Sequence, residues 1–219
     1  MKKGDQIKDI LFDLGKVLVT FDWDIALRRL LPHLPEEMAR ILRESKENFI
    51  RLFHEPGTAL EKGQIDFDEF YLDVRNRLRI TVGRDEFHYI WCDIFDLDEE
   101  MAALGELLSR RYRTWLVSNT SRAHYEWIIG KFPRVAFYRD AALSYELGAM
   151  KPAQNFYLGA IDKFDIEPAR AVFIDDMSEN VVGALRAGMK GIVFRGQDHL
   201  VAELELMGVR IPKAEEQAN

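Results

Sequence analysis

The sequence predicts an α/β protein: a doubly wound, Rossmann-like and mostly parallel sheet with an inserted α-helical cap. Three observations predict this class. Short apolar runs stop abruptly at polar residues, as the buried strands of a parallel sheet do. From residue 98 onward, amphipathic helical segments separate these runs, which indicates right-handed crossovers. Between the first run and the second lies a long stretch with helical periodicity only. We therefore expect a core of residues 1–19 and 96–219 and a cap of residues 20–95.

The first predicted strand lies in the segment ILFDLGKVL, which delivers Asp13 into a turn that contains Gly15. The cap follows. A proline and two glutamates favour a helix start at residues 35–37, and the apolar stripe after them predicts a helix that ends at Pro56-Gly57. Asp66 and Glu69 have the spacing of a capping box, which begins a second helix. A third apolar stripe predicts a helix over residues 87–95.

In the second half of the chain, helices and strands alternate. The predicted strands are TWLVS (114–118), a weaker one near residues 141–144, AVFID (171–175) and GIVF (191–194). Ser178 is placed to cap the helix that follows AVFID. The final residues, 213–219, have the composition of a solvated tail.

Composition limits the classes of function. The chain has 219 residues and a formal net charge of −7, and its sequence shows no run of Lys and Arg long enough for a general nucleic-acid surface. The single cysteine, Cys92, has apolar neighbours and excludes an internal disulfide, which suits a reducing compartment. No apolar stretch has the length of a membrane span, and the first residues lack the apolar region of a signal peptide. We expect a cytoplasmic protein with no nucleic-acid or membrane partner.

Polar side chains stand at the ends of the predicted strands. Asp13 follows the first strand, Ser118 ends the second, and Asp175 and Asp176 end the FIDD strand, while Lys151 lies between them in the segment AMKP. Ligands of such sheets bind beyond the carboxyl ends of the strands. The sequence therefore predicts one crevice that gathers carboxylates, a hydroxyl and a lysine.

These segments, in this order, resemble the four motifs of the haloacid dehalogenase-like hydrolases. FDLGKV matches the first motif, SNT the second, KP the third and FIDD the fourth. The helical stretch after the first strand resembles the cap of such enzymes. The longer segments FDLGKVLVTFD, EKGQI, LVSNTSR, LGAMKP and FIDDMSEN resemble the subgroup of bacterial sugar-phosphate phosphatases, whose best-known type acts on α-D-glucose 1-phosphate.

The resemblance implies a nucleophile and a metal site. Asp13 would attack phosphorus and form an aspartyl phosphate, which splits hydrolysis into two easier steps. Mg²⁺ would be held by Asp13, the backbone carbonyl of Gly15 and Asp176, with Asp175 nearby or bound through water. Asn180 matches a position that helps to order this site in relatives.

The resemblance also implies the phosphate contacts. Ser118 and the backbone amide of Asn119 would donate hydrogen bonds to phosphate oxygens, and Lys151 would neutralise charge on the nucleophile and the phosphoryl group. The catalytic set is then Asp13, Lys151 and Ser118. The implied substrate is a small phosphorylated metabolite such as a sugar phosphate; the sequence specifies neither its identity nor the oligomeric state.

Gly15 departs from the pattern of the family's phosphatases. Most of them carry a second aspartate at this position, which protonates the leaving group, and general acid help is worth about 10²–10⁴ in rate. His54, Glu55 and Glu61 lie between predicted cap helices and are the candidate proton donors from the cap. Residues 55–64 are the expected selectivity loop.

Two other functions stay open. In a 2-haloacid dehalogenase, Asp13 would displace halide from carbon without a metal, and such enzymes also lack the second aspartate. A non-catalytic protein could bind phosphorylated ligands in the crevice or use the cap to dock another protein. The acidic FIDD segment followed by Asn180 favours the metal-dependent phosphatase.

Overall fold

The structure, a computed structural model, describes residues 6–212 and confirms the predicted α/β class; the tail predicted for residues 213–219 lies outside this range. Its strands are β1 Asp9–Phe12, β2 Val19–Phe21, β3 Phe95–Leu97, β4 Arg113–Ser118, β5 Ala141–Leu143, β6 Ala171–Asp175 and β7 Lys190–Val193. Five of them form a parallel sheet in the order β5-β4-β1-β6-β7. β1 is therefore central, with β4 and β6 on either side.

Eleven α-helices lie within residues 6–212. Between β2 and β3 they are α1 Trp23–Leu30, α2 Glu36–Glu44, α3 Lys46–Glu61, α4 Phe67–Leu78 and α5 Arg84–Cys92. After β3 they are α6 Glu99–Ser109, α7 Arg122–Lys131, α8 Ser144–Leu147, α9 Gln154–Phe164, α10 Ser178–Arg186 and α11 Gln197–Leu206. The helix–strand alternation predicted for the second half of the chain is thus present.

The strands of the sheet are buried on both faces. Ile10 and Phe12 of β1 belong to a large apolar cluster that continues into the helices between β2 and β3. Leu11 points to the other face, where it joins Phe156 and Tyr157 of α9. This double burial explains why the strands read as continuous apolar runs in the sequence.

A short antiparallel ribbon links the first strand to the helical block. β2 pairs with β3, with Val19 opposite Leu97 and Phe21 opposite Phe95. Both strands have only three residues, too few for a period-two pattern to be read from the sequence. The predicted domain boundaries, 19/20 and 95/96, fall inside this ribbon, and the division into core and cap domains stays a prediction.

The prediction of one helix ending at Pro56-Gly57 is wrong at both ends of α3. Ser45 separates α2 from α3 and caps α3, because its Oγ accepts a hydrogen bond of 3.1 Å from the N–H of Glu47. α3 then continues through Pro56 to Glu61, although a proline has no N–H to donate to the preceding turn. Apolar side chains on both sides of the proline are buried in the core, at Phe49, Phe53 and Leu60. Tertiary packing therefore outweighs the local helix-breaking signal.

The two predictions about helix capping residues have opposite outcomes. The capping box at Asp66 is confirmed: its Oδ1 accepts a hydrogen bond from the N–H of Glu69, and the Glu69 carboxylate accepts one from the N–H of Asp66. Ser178, in contrast, is the first residue of α10 rather than its cap. Met177 holds the cap position, and no side chain caps this helix.

Cys92 is fully buried, and burial raises the pKa of its thiol to about 12. The thiol therefore stays protonated at neutral pH, as suits a side chain whose sequence neighbours are apolar. Within the part of the chain that the structure describes, no helix combines the length and the apolar character that crossing a bilayer requires.

The fold also gathers basic residues that are scattered along the sequence. They line a depression of about 350 Å³ at the amino ends of the strands and are Lys8, Arg110, Arg111, Arg113, Arg139 and Arg170. These residues form no long run in the sequence and come together only in the fold. Part of the charge is neutralised by ion pairs, because Arg113 binds Asp9 and Lys8 binds Glu167.

Candidate active site

The carboxyl ends of three neighbouring strands bring the predicted site residues together. Asp13 follows β1, Ser118 ends β4 and Asp175 ends β6. Lys151, which lies between β5 and α9, reaches both carboxylates: its Nζ is 2.7 Å from Asp13 Oδ1 and 2.7 Å from Asp175 Oδ2. Parallel strands align their carboxyl ends at one edge, so residues more than 160 positions apart meet there.

Lys151 is almost completely buried, with 1% of its side chain exposed. Its Nζ also donates to the carbonyl oxygen of Val117 at 3.1 Å, so the ammonium group has three acceptors. Burial lowers the pKa of Lys151, but the ion pairs with Asp13 and Asp175 outweigh it and raise this pKa above its ordinary value. The lysine is therefore a fixed positive charge at the strand ends.

Asn119 holds the backbone of Lys151. Its side-chain oxygen accepts a hydrogen bond of 2.8 Å from the N–H of Lys151, and its Nδ2 donates to the carbonyl of the same residue at 3.0 Å. The Asn119 side chain thus positions the lysine. The phosphate contact predicted at Asn119 involves its backbone amide, which this pairing does not use.

Asp13 lies at the centre of the group and is 7% exposed. Its N–H donates to the carbonyl of Ile174 on β6, and its Oδ1 accepts a hydrogen bond of 2.7 Å from the N–H of Leu14. Burial raises the pKa of Asp13 to about 7; Lys151 opposes this shift and the neighbouring Asp175 carboxylate adds to it. An additional cation would favour the ionised, nucleophilic form.

Three carboxylates could share a metal ion. Asp13, Asp175 and Asp176 each offer an oxygen, and these atoms lie within 4.8 Å of one another. Oxygen donors of this kind suit Mg²⁺, which commonly takes a few carboxylates and completes its shell with water and substrate phosphate. The donor set therefore fits the predicted metal, and the backbone carbonyl of Gly15 lies two residues beyond Asp13.

The two neighbouring aspartates are not equivalent. Asp175 is fully buried, and its oxygens accept hydrogen bonds from Lys151, from the N–H of Met177 at 2.8 Å and from Asn180 Nδ2 at 3.0 and 3.1 Å. The side chain of Asp176 is 23% exposed, with Lys16 Nζ at 3.5 Å. Asn180 thus orients Asp175, while Asp176 is the more accessible of the pair.

A small cavity of about 100 Å³ opens beside these groups. Gly15, Ser118 and Asn119 line it from the sheet, and Phe21 and Glu61 line it from the ribbon and from α3. Ser118 is 2% exposed, so this cavity is its opening to a ligand. Of the residues predicted to bind phosphate, Ser118 and Asn119 line this cavity, whereas Lys151 does not.

A second, apolar cavity of about 150 Å³ lies next to the first. Its walls carry four aromatic side chains, Trp23, Phe49, Phe53 and Trp91. Glu61, Trp23 and His124 line both cavities. Substrate pockets are mostly apolar with a few polar groups. This cavity is therefore the candidate pocket for the leaving group, which is the part of a phosphorylated substrate other than the phosphate.

The three candidate proton donors from the cap are separated by the fold. Glu61, the last residue of α3, reaches the cavity that contains Gly15. His54 lines only the aromatic cavity. Glu55 points to solvent, with 83% of its side chain exposed and Arg77 at 3.3 Å. Residues 55–61 are helical, so the predicted selectivity loop is mostly a helix end.

Several residues of the site escaped the sequence analysis. Phe21, Trp23 and Trp91 read as ordinary core residues, because an aromatic residue in an apolar stripe gives no sign of a cavity. His124 is buried and stacks on Trp91, and its Nε2 lies 3.1 Å from the Trp91 carbonyl. Burial lowers the pKa of His124 to about 4, so its ring is neutral near pH 7.

A sequence profile described as haloacid dehalogenase-like hydrolase matches residues 7–188. The protein belongs to this family. The predicted membership, and with it the prediction of a hydrolase, is confirmed. The finer resemblance to enzymes that act on α-D-glucose 1-phosphate stays a prediction.

Curated and solved relatives agree with the family. The D-ribitol-5-phosphate phosphatase of Bacteroides thetaiotaomicron is 26% identical over 186 residues, which cover 80% of this chain and 85% of the relative. Flavin mononucleotide hydrolase 1 of Arabidopsis thaliana is 36% identical over 64 residues, or 29% of this chain and 26% of the relative.

A haloacid dehalogenase-like hydrolase from Bacteroides thetaiotaomicron, solved with magnesium and inorganic phosphate, superposes with a TM-score of 0.75. It is 24% identical, and the match covers 89% of this chain and 98% of the other. A dehalogenase also superposes, with a TM-score of 0.57 at 15% identity over 88% of this chain and 87% of the other. At these identities the likeness shows the fold, which phosphatases and dehalogenases share.

Proposed function

We propose that this protein is a Mg²⁺-dependent phosphatase that hydrolyses a small phosphorylated metabolite through an aspartyl-phosphate intermediate on Asp13. The observation that carries the proposal is the convergence of Asp13, Asp175 and Asp176 beside the buried Lys151. Three carboxylates around one buried ammonium leave an excess of negative charge that a divalent cation would balance. The curated phosphatase relative supports the same activity.

The geometry supports a role for each residue. Asp13, held by Leu14 N–H and Lys151, would attack phosphorus from the end of β1. Ser118 and the backbone amide of Asn119 would bind phosphate oxygens in the small cavity. Mg²⁺, held by Asp13, Asp176 and the Gly15 carbonyl with Asp175 beside it, would supply charge neutralisation for the approach of two anions.

The substrate class is the finer part of the proposal. The adjoining aromatic cavity has room for a small leaving group, and the curated relative with the longer match acts on a sugar-alcohol phosphate. Sugar and sugar-alcohol monophosphates are therefore the first compounds to test, with nucleotide monophosphates next. Cytoplasmic location stays a prediction from the sequence.

The experiment is phosphate release from p-nitrophenyl phosphate by purified protein. We expect multiple turnovers that EDTA abolishes and Mg²⁺ restores, and a wider panel of monophosphates would then rank the substrates. Brief reaction with phosphate-labelled substrate followed by acid quenching should leave label on the wild-type protein and none on Asp13→Asn. Absence of turnover with Mg²⁺ would refute the phosphatase.

The same preparation tests the alternatives. Halide release from a 2-haloacid that is insensitive to EDTA would identify a dehalogenase, whose fold this chain shares. Saturable phosphate binding without turnover would identify a non-catalytic binder. The cluster of three carboxylates favours the metal-dependent reaction over both.

A further inference from the structure

Phe21 packs close to Gly15, the position where most phosphatases of the family carry the second aspartate. A Cβ atom placed on Gly15 would lie 3.2 Å from the Cε1 atom of Phe21. A side chain at position 15 would therefore need the Phe21 ring to shift by a few tenths of an ångström. That ring packs against Trp23 and Phe95 at ring-centroid distances of 6.2 and 6.0 Å. A proton for the leaving group has to come from another direction.

The candidate donor is Glu61. It lines the small cavity together with Gly15 and Ser118, and it also lines the aromatic cavity beside it. With phosphate in the first cavity and the rest of the substrate in the second, the bridging oxygen of the ester would lie at their junction. Among the described residues, Glu61 and His124 are the titratable groups common to both cavities.

His124 is unsuited to donate a proton there. Its ring is buried against Trp91, its Nε2 is engaged with the Trp91 carbonyl, and burial keeps the pKa of its imidazole at about 4. His54 lines only the aromatic cavity, and Glu55 faces solvent. Glu61 is the remaining candidate, and burial raises its pKa to about 7, with Lys151 opposing the shift.

The position of Glu61 is fixed from the core. Two residues later the chain turns at Gly63, which has a φ of +64°, and a Cβ there would overlap the carbonyl oxygen of Tyr145 in α8. The N–H groups of Lys62 and Gly63 bond back to the carbonyls of Thr58 and Leu60 at 3.0 and 3.1 Å. The end of α3 is therefore pressed directly against the segment that leads to Lys151.

We propose that Glu61, supplied by the cap, protonates the leaving-group oxygen in place of the missing second aspartate; this inference rests on the proposed phosphatase function and deepens it. Asp13 forms a bond to phosphorus, the bond from phosphorus to the bridging oxygen breaks, and that oxygen takes the proton of Glu61. The Glu61 carboxylate then takes a proton from the water that attacks phosphorus. The Asp13–phosphorus bond breaks, and phosphate is released with Glu61 protonated again.

The test compares leaving groups. p-Nitrophenolate leaves without protonation, whereas an alkoxide needs a proton, so Glu61→Gln should lower kcat/KM about 10²-fold or more for the best alkyl phosphate of the panel. For p-nitrophenyl phosphate we expect a loss within about threefold. Glu55→Gln, on the same helix but facing solvent, is the matched control and should leave both substrates unaffected.

Two further readouts separate a proton donor from a merely structural residue. In the wild type, kcat/KM for the alkyl phosphate should fall as the pH rises above about 7, and this alkaline limb should disappear in Glu61→Gln. The other charged or ionisable groups around Glu61 are Lys151 with its partner Asp13, and the imidazoles of His54 and His124 in the cavity walls. Across a series of phosphate esters, kcat/KM should depend more steeply on leaving-group basicity in the variant.

Each outcome decides a different question. If wild-type protein with Mg²⁺ fails on p-nitrophenyl phosphate, the phosphatase itself is refuted. If it hydrolyses that compound, equal losses of the variant on both substrates would overturn the role of Glu61. Turnover of p-nitrophenyl phosphate without turnover of any alkyl phosphate would overturn it as well. Retained p-nitrophenyl phosphatase activity shows that the variant is folded, and Glu61→Asp should recover part of the alkyl activity.

Discussion

Strand β1 carries a buried aspartate near each end, and the two sites differ in how their charge is balanced. Asp9, at the amino end, is fully buried and accepts two contacts from Arg113, at 2.7 and 2.8 Å, and one from the indole N–H of Trp115 at 2.8 Å. Its charge is matched by one guanidinium group. Asp13, at the carboxyl end, shares its lysine with Asp175 and lies near Asp176.

The difference teaches how a structural carboxylate is told from a functional one. Both side chains are buried and paired, so neither burial nor the presence of a partner separates them. The two aspartates differ instead in how their negative charge is balanced. The amino end is a closed group of a carboxylate and its donors, whereas the carboxyl end has more carboxylates than buried cations and a cavity beside them. Carboxylates in excess of buried cations beside a cavity therefore indicate a site that binds a ligand.

The largest expected effect comes from Asp13→Asn. We expect a loss of at least about 10³-fold in kcat for p-nitrophenyl phosphate, because the amide is a poor nucleophile and cannot form the acyl phosphate. Turnover at more than about a tenth of the wild-type rate would contradict the role of Asp13. Far-ultraviolet circular dichroism provides the control for folding.

The same variant should not lose stability in EDTA. Burial raises the pKa of Asp13 from its ordinary value of 3.8 to about 7 in the folded protein. Between these pH values the folded state therefore binds more protons than the unfolded state. The free energy of unfolding of the wild type should therefore fall as the pH rises from about 4 to 7. Asn has no such dependence, so denaturant titrations should show the variant gaining relative stability towards pH 8.

Asp9→Asn should do the opposite. Removing the charge leaves the Arg113 guanidinium without its carboxylate, and we expect a loss of about 2–3 kcal/mol in the free energy of unfolding, measured by urea denaturation. Below its melting temperature the variant should retain kcat within about twofold, because the site at the other end of the strand is intact. A large loss of kcat without loss of stability would break the comparison.

The smallest expected effect is the stabilisation of the protein by Mg²⁺, which should depend on the carboxyl end of β1 and not on its amino end. At ten times its dissociation constant, Mg²⁺ should stabilise the wild type by about 1.4 kcal/mol. The same increment should appear in Asp9→Asn and shrink in Asp176→Asn, as measured by thermal unfolding with and without EDTA. An increment that depends on Asp9 but not on Asp176 would place the metal elsewhere.

The sequence was sufficient to predict the gathering of Asp13, Ser118, Lys151 and the Asp175-Asp176 pair. The strands that carry Asp13, Ser118 and Asp175 are apolar and end sharply, and the carboxyl ends of parallel strands meet at one edge by geometry alone. This part of the site could be predicted because it depends on strand direction and not on the detail of packing. Lys151 lies outside the strands, and its place in the site was implied by the family resemblance of the segment AMKP.

The helical block was harder to predict because its elements depend on tertiary contacts. Pro56 signals a helix end, yet α3 continues past it because Phe53 and Leu60 are buried on either side. The close packing at Gly15 depends on the ring of Phe21, which belongs to a ribbon of two three-residue strands. Neither contact leaves a periodic pattern in the sequence.

The hydrogen bonds of Lys151 also affect how this side chain can bind phosphate. Its ammonium group has three hydrogens, and oxygens of Asp13, Asp175 and Val117 already accept them. An incoming anion gains a full hydrogen bond from this lysine only when one of these oxygens releases it. Until such an exchange takes place, Lys151 contributes charge attraction to a bound phosphate rather than a direct hydrogen bond.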